Sequence, residues 1–349
     1  MRSLYCTADD IGTETGGGIV THNELLALKS ISEAVEVLER KDIDPGKFHQ
    51  PDSPFLLDYW ASMLISDKHF DLAHFYSGCF SQTVRHLKQR GTKVTYTIAA
   101  HDRETSVDEF HRLGFEYPFY HVTDDRLWDI YTEGSRLADV VIAPSRRSAE
   151  ILKALGCTNV VVIPHGVNLP NEVKPIPDKF DCCYIGQCGA DKGLIYLIQA
   201  WGMLNYPDSR LVLAGGGTEA LEPFIRQVTE KGQFVLLGRV SNISEVYNAC
   251  STAIFPSVTE GFGIGILEGM AHGRPVIASE GAGASELVDD GVTGFTVLIR
   301  NPEAIADRID WFRNNREKIP EMGQRARRKA GNFTWDKIRE QYARIYLSL

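Results

Sequence analysis

Phe255-Pro-Ser-Val-Thr-Glu260-Gly-Phe-Gly263-Ile-Gly-Ile-Leu-Glu268-Gly-Met-Ala-His272-Gly-Arg-Pro-Val-Ile-Ala278 is followed by Gly281-Ala-Gly-Ala-Ser-Glu286 and Asp289-Asp-Gly-Val-Thr-Gly-Phe-Thr-Val297. The stretch combines two separated carboxylates, a glycine-rich approach to a helix and a following strand. Were the span helical, the eight-residue offset of Glu260 and Glu268 would part their backbones by about 12 Å at ~1.5 Å per residue. Two carboxyls flanking one glycosidic bond need about 5–9.5 Å, so a hydrolase pair fits poorly. The offset suits two groups holding opposite ends of a long ligand. Gly261, Gly263 and Gly265 let the backbone come close, and the unpaired amides opening the helix face an anion. Glu268 is therefore expected to bond the ribose hydroxyls of a nucleotide, and Glu260 the hydroxyls of a sugar. The amides of Phe262, Gly263 and Ile264 would meet the sugar end or a diphosphate. A lone pair of glutamates would instead read as a surface Glu followed by a buried helix; the surrounding segment favours the ligand site.

The chain around it is 349 residues long, 43% hydrophobic and 24% charged. That is the composition of an ordinary globular protein, too long for one typical core. The net charge of −9 argues against non-specific nucleic-acid binding, which needs a basic face. It leaves open a local basic patch and a peripheral membrane contact. No apolar run reaches the length of a membrane span. Residues 1–10 lack a basic start with an apolar core, so no secretion signal is expected. A cytoplasmic place, on or off the inner face of the membrane, follows as the expectation. The seven cysteines are scattered and odd in number, which suggests buried, reduced thiols. Cys182 and Cys183 are adjacent and point to opposite faces of a predicted strand, so they make a poor metal pair.

Short β-branched runs alternate with longer amphipathic stretches, the pattern of parallel sheets with helical crossovers. Leu4-Tyr-Cys6 reads as the first strand, Gly16-Gly-Gly18 as a glycine turn and Ile19–Leu28 as a helix. Strands follow at Phe70–Phe75, Lys93–Ile98 and Asp139–Ala143, with helices at Gln82–Arg90 and Arg146–Leu155. Val160–Pro164 closes this half, and Asp42–Pro54 takes no assignment. Pro170, Pro175 and Pro177 interrupt His165–Phe180, which reads as a linker. A second series comprises Asp181–Ile185, Leu194–Met203, Arg210–Ala214, Pro223–Lys231, Phe234–Leu237, Ile243–Ala249 and Thr252–Phe255. The expected fold class is α/β, with two doubly wound parallel-sheet domains and ligands at the carboxyl ends of strands. Residues 1–166 form the first domain, 167–180 the linker, 181–330 the second domain and 331–349 a terminal amphipathic helix carrying Trp335, Ile338, Tyr342 and Tyr346.

Tyr184-Ile-Gly186-Gln187-Cys-Gly189-Ala-Asp-Lys192-Gly193 runs from a strand through a loop to a helix start. Lys192 is well placed there to neutralise a diphosphate as a compact charge; an exposed lysine at a helix start is the plainer reading. Gly215-Gly-Gly217 lacks the Gly-x-Gly-x-x-Gly spacing, so a nicotinamide site is not expected and a strand-end turn is. Asp124-Asp125 sits at a predicted loop or helix start and is weak evidence for a metal.

These motifs together resemble the retaining glycosyltransferases of family GT4, over nearly the whole chain and most strongly across 181–300. The resemblance implies the GT-B fold, with the two Rossmann-like domains facing a central cleft and the terminal helix crossing back to the first. It implies transfer of a hexose from a UDP- or GDP-sugar to an acceptor hydroxyl with retention, no bound metal and no other cofactor. The acceptor, whether carbohydrate, lipid-linked carrier or small molecule, is left open by 29–70 and 103–135, which match nothing specific. The resemblance makes His101, Glu260 and Lys192 the candidate catalytic residues, with His101 by the anomeric centre. It places Gly17 and Gly18 by the donor diphosphate, Gly186, Gln187 and Lys192 on the phosphate side, and the backbone at Gly238–Val240 by the base. The family usually carries Arg where this chain has Gln187. Other readings are an epimerase or phosphorylase on the same fold, or a protein that binds nucleotide sugars without catalysis.

Overall fold

The computed structural model describes residues 1–12, 15–42, 54–114, 123–204, 206–228 and 234–349. The chain alternates strand and helix nearly throughout, and every strand pairing is parallel. The strands of the first sheet are β1 (Arg2–Thr7), β2 (Ala34–Glu39), β3 (Leu72–Tyr76), β4 (Lys93–Thr97), β5 (Val140–Ala143) and β6 (Val160–Val162). Those of the second are β7 (Cys182–Ile185), β8 (Leu211–Ala214), β9 (Phe234–Gly238), β10 (Thr252–Phe255), β11 (Val276–Ser279) and β12 (Gly294–Val297). Several read as continuous buried runs, such as Leu72–Tyr76, Val140–Ala143 and Cys182–Ile185. A parallel strand covered by helices on both faces has no solvent side to alternate with. Cys182 and Cys183 duly point to opposite faces, and both are fully buried.

The described residues fall into two units, one drawing on Met1–His101, Tyr117–Gly166 and Trp335–Leu349, the other on Asp102–Glu116 and Val167–Thr334. The 167–180 stretch thus counts with the second unit, where the Val167 N–H donates to the Phe333 carbonyl at 2.8 Å. So does the helix Arg103–Arg112, which the sequence reading placed with the first domain. Its Glu109 carboxylate is fully buried, accepting from the Tyr196 hydroxyl at 2.7 Å and from Arg300 Nε at 2.6 Å.

In the first unit the sheet order is β2-β1-β3-β4-β5-β6. β2 lies in the stretch left vague by the sequence; only its last two residues are buried, so its pattern is weak. Gly16–Gly18 are the first turn of the helix Gly16–Lys29, not a separate turn. Thr15 caps that helix, its Oγ1 accepting from the Gly18 N–H at 3.0 Å. The terminal helix Trp335–Leu347 belongs to this unit and buries Trp335, Ile338, Tyr342 and Tyr346. Tyr342 and Tyr346 set their rings edge-on to His74, which pairs with the buried Glu24 at 3.1 Å. Asp124 caps the helix Asp125–Leu137 through the Leu127 N–H at 2.9 Å.

In the second unit the order is β12-β11-β10-β7-β8-β9. Numbered from its own first strand this is 6-5-4-1-2-3, the order of the dinucleotide-binding fold. The direction of winding reverses between β7 and β10, and the crevice there is where such sheets bind ligands. The expected helix Pro223–Lys231 is observed as Glu222–Val228. Its later residues lie outside the described residues, as does most of Asp42–Pro54.

Candidate functional site

At the carboxyl end of β7 the chain forms a single 3₁₀ turn, Ala190–Lys192, before the helix Leu194–Leu204. Gly193 joins them at φ 64°, and a Cβ there would run into the Pro256 carbonyl oxygen. That position therefore requires glycine on both conformational and steric grounds. The turn is fastened to the loop after β10, because the Asp191 carbonyl accepts from the Val258 N–H at 2.8 Å. The loops on either side of the reversal point are thus joined by main chain before any side chain is considered.

That junction brings Lys192 to Glu260. Lys192 Nζ stands 3.0 Å from Glu260 Oε1 and 3.3 Å from Asp191 Oδ2, with the lysine side chain 20% exposed. Burial alone pulls the ammonium pKa down, but the two carboxylates outweigh it and hold it above the ordinary lysine value. The Glu260 carboxylate also accepts from Ser257 Oγ at 2.9 Å. Its backbone is fixed on both sides, by its N–H to the Gly281 carbonyl at 2.9 Å and by its carbonyl from the Gly283 N–H at 3.1 Å. Glu260 is therefore held on an extended segment, and the helix starts only at Ile264. The glycine-rich segment thus leads into the helix as its sequence suggested, with Glu260 ahead of the helix and Glu268 within it.

Gly263 caps that helix at φ 92°. A Cβ on it would lie 3.3 Å from Glu260 Oε2, so the glycine leaves the carboxylate room beside the helix start. The first amides of Ile264–Ala271 have no partners within the helix. Gly265 serves packing rather than ligand approach: a Cβ there would meet Phe255 at 2.6 Å and the Ile185 carbonyl oxygen at 3.1 Å. Its absence lets the helix lie close on β7 and β10. Phe262 is buried and its carbonyl accepts from the Ala284 N–H at 2.7 Å, whereas the Ile264 side chain is half-buried.

Further along the helix, burial raises the Glu268 carboxyl to about 7, against a smaller opposing pull from the Tyr247 hydroxyl. The neighbouring His272 is structural. Its Nδ1 contacts the Glu268 carbonyl at 2.7 Å, its Nε2 contacts Ser244 Oγ at 2.8 Å, and its ring stacks on Tyr247. His165 is buried too, and desolvation pushes its pKa down to about 4.

The loops after β7, β8 and β9 lie side by side. The Gly186 N–H donates to the Ala214 carbonyl at 2.9 Å, the Cys188 N–H to Gly216 at 2.9 Å and the Gly215 N–H to Gly238 at 2.7 Å. This lacing lines up Gln187, Gly216 and Arg239. A Cβ on Gly216 would lie 2.9 Å from Gln187 Oε1 and 3.2 Å from Arg239 Nε. Val240 follows, half-buried against the core. The sequence reading missed Arg239, Asp191 and Ser257. Arg239 stands next to Val240, but its convergence with Gln187 depends on the pairing of three strands.

The remaining candidates lie in the first unit. A Cβ on Gly17 would stand 2.7 Å from Asp9 Oδ2, and one on Gly18 would be 3.0 Å from the Asp10 carbonyl oxygen. Gly17 thus makes room for the chain's own Asp9, whose carboxyl pKa is raised by burial and then by Asp10. His101 is half-buried beyond the end of β4.

Residues 169–329 match the family model described as Glycosyl transferases group 1, and residues 20–170 match Glycosyltransferase Family 4. The chain belongs to the group 1 glycosyl transferases. One relative is an uncharacterized glycosyltransferase of Methanocaldococcus jannaschii, 30% identical over 52% of this chain and 48% of its own length. The chain spans about half the length of the curated relatives it matches. Sucrose-phosphate synthase from Thermosynechococcus elongatus superposes with a TM-score of 0.81 at 19% identity, covering 100% of this chain and 99% of that one. Anabaena HepE, solved with UDP-glucose, superposes at 0.74 and 20% identity over 100% of both chains. The fold of this group 1 member is GT-B. Among the described residues no helix is long and apolar enough to cross a membrane.

Proposed function

We propose that this protein transfers a hexose from a nucleotide diphosphate sugar to an acceptor hydroxyl, with retention at the anomeric carbon. The observation that carries the reading is the Lys192–Glu260 pair at the reversal point of a sheet with dinucleotide-binding strand order. Glu260 would exchange its lysine for hydroxyls of the donor sugar, leaving the ammonium to the diphosphate. Glu268 would hold the ribose hydroxyls. The donor is a UDP-sugar or a GDP-sugar, and HepE, solved with UDP-glucose, shares the fold. The acceptor is a carbohydrate, a lipid-linked carrier or a small molecule met at the cytoplasmic side of the membrane.

In this reaction the bond from the anomeric carbon to the diphosphate oxygen breaks while the acceptor oxygen bonds to the same face of that carbon. The departing phosphate oxygen takes the acceptor's proton, giving a glycoside and a nucleoside diphosphate. Charge gathers on the leaving group in the transition state, where Lys192 and the amides at Gly263 and Ile264 would stabilise it. We propose that these groups suffice without a bound metal. Steady-state rates with a nucleotide-sugar and acceptor panel test the assignment. Lys192→Ala should raise donor KM or lower kcat by about tenfold or more, from losing a charge-assisted contact of roughly 1.5–3 kcal/mol. Glu260→Ala should mainly lower kcat. Parental rates in both variants would sink the site. Free nucleotide released without acceptor would point to an epimerase, and donor binding without turnover to a binding protein.

A further inference from the structure

The charges at the reversal point do not by themselves favour a diphosphate. Lys192 is the cation there, and two carboxylates, Asp191 and Glu260, lie within 3.3 Å of it. One positive charge facing two negative ones leaves a deficit that helix-end amides offset only in part. Gln187, on the loop after β7, adds dipole but no charge. Arg239, on the loop after β9, supplies charge. It is exposed, and among the described residues it makes no ion pair. Its Nε and Gln187 Oε1 converge on the space a Gly216 Cβ would fill, at 3.2 and 2.9 Å. The three loops holding them are fixed to one another by main-chain hydrogen bonds, so this convergence is built into the carboxyl edge of the sheet. A side chain at 216 would press on the ends of Gln187 and Arg239, and glycine leaves them room to meet.

From this we infer that Arg239 is a diphosphate-binding residue, supplying from the third strand of this sheet the guanidinium that the loop after β7 lacks. The inference rests on the proposed nucleotide-sugar site and adds a specific partner to it. Bound phosphate oxygens replace the carboxamide of Gln187 as the neighbour of the guanidinium, whose planar fork suits them. The diphosphate then meets two cations, Lys192 from the loop after β7 and Arg239 from the loop after β9, beside the helix amides.

Calorimetric titration with UDP, GDP and UMP, on the parental protein, Arg239→Ala, Arg239→Lys and the double variant Gln187→Arg/Arg239→Ala, tests it. Arg239→Ala should weaken the better-bound diphosphate by about tenfold or more, the size of one lost charge-assisted contact. UMP should weaken by less than about threefold, because one phosphate is absent. Arg239→Lys should recover part of the loss, and the double variant most of it, since an arginine at 187 returns the charge to the same spot. Because Arg239 is exposed, unchanged melting temperatures will separate a lost contact from a lost fold. Equal diphosphate affinity in Arg239→Ala overturns the inference and leaves the proposed function standing. So does an equal loss for UMP and diphosphate, which would place Arg239 on the base or ribose. Failure of the parental protein to bind UDP or GDP at all overturns the proposed function, and this inference with it.

Discussion

Glu268 is the residue whose chemistry follows most directly from its surroundings. Burial lifts its carboxyl to about 7 from the ordinary value of 4.5. Ribose hydroxyls donate hydrogen bonds, so they favour the ionised carboxylate, and binding is linked to its proton. Nucleotide affinity should therefore rise as pH goes from about 6 to about 8, and Glu268→Gln should remove that rise. Titrations of UDP at four pH values decide it; a parallel slope in the variant would remove Glu268 from the ribose. The same shift acts on stability with the opposite sign. The folded protein keeps the proton between 4.5 and about 7 while the unfolded chain has released it. Stability should fall with rising pH across that window, by on the order of 2–3 kcal/mol after allowing for partial exposure. Denaturant midpoints of parent and Gln variant across the window check this. Lys192 behaves differently, because its paired carboxylates keep it charged throughout.

At the scale of elements, the decisive piece is the 3₁₀ turn Ala190–Lys192 and the glycine that ends it. Gly193→Ala would force a side chain into the left-handed region, at roughly 1–2 kcal/mol, and against the Pro256 carbonyl. The turn must then part from the loop after β10, taking Lys192 away from Glu260. The expected outcome is a loss of at least about 2 kcal/mol, a melting temperature lower by several degrees and donor turnover reduced along with it. Thermal unfolding and initial rates measure both. Unchanged values for both would show that the two loops need no such junction. Gly265 and Gly269 act on the other face of the same region. A Cβ on Gly269 would stand 3.1 Å from Val276 and 3.3 Å from Ala253, so the glycine pair seats its helix on the sheet. Their spacing, one helical turn, marks a packing stripe as readily as a ligand loop. Only the contacts settle which it is.

For the molecule as a whole, the terminal helix Trp335–Leu347 is the element that sequence order would assign to the wrong unit. It follows the second sheet in the chain but completes the first unit, burying Trp335, Ile338, Tyr342 and Tyr346 to 3% exposure or less. Each such side chain contributes roughly 1.5–3 kcal/mol, a large share of a typical total of about 5–15 kcal/mol. Ending the chain at Thr334 should expose His74 and Tyr5 and lower hydrogen-exchange protection in β1 and β3, while β7, β8 and β10 keep theirs. Uniform loss across both sheets, or none, would show that the helix is not specific to the first unit.

The sequence by itself determined the alternation of strand and helix, the parallel sheets and the motif at Phe255–Val297, because strands covered on both faces read as apolar runs and glycines mark loop-to-helix joints. It left β2 undefined, since a partly exposed strand carries little pattern. It read Gly16–Gly18 as a turn, because glycine alone cannot distinguish a turn from the first turn of a capped helix. The meeting of Lys192 with Glu260, and of Gln187 with Arg239, was decided only by the tertiary structure. These pairs lie 68 and 52 positions apart, and strand order, a long-range choice made by the packing of whole elements, is what brings them together.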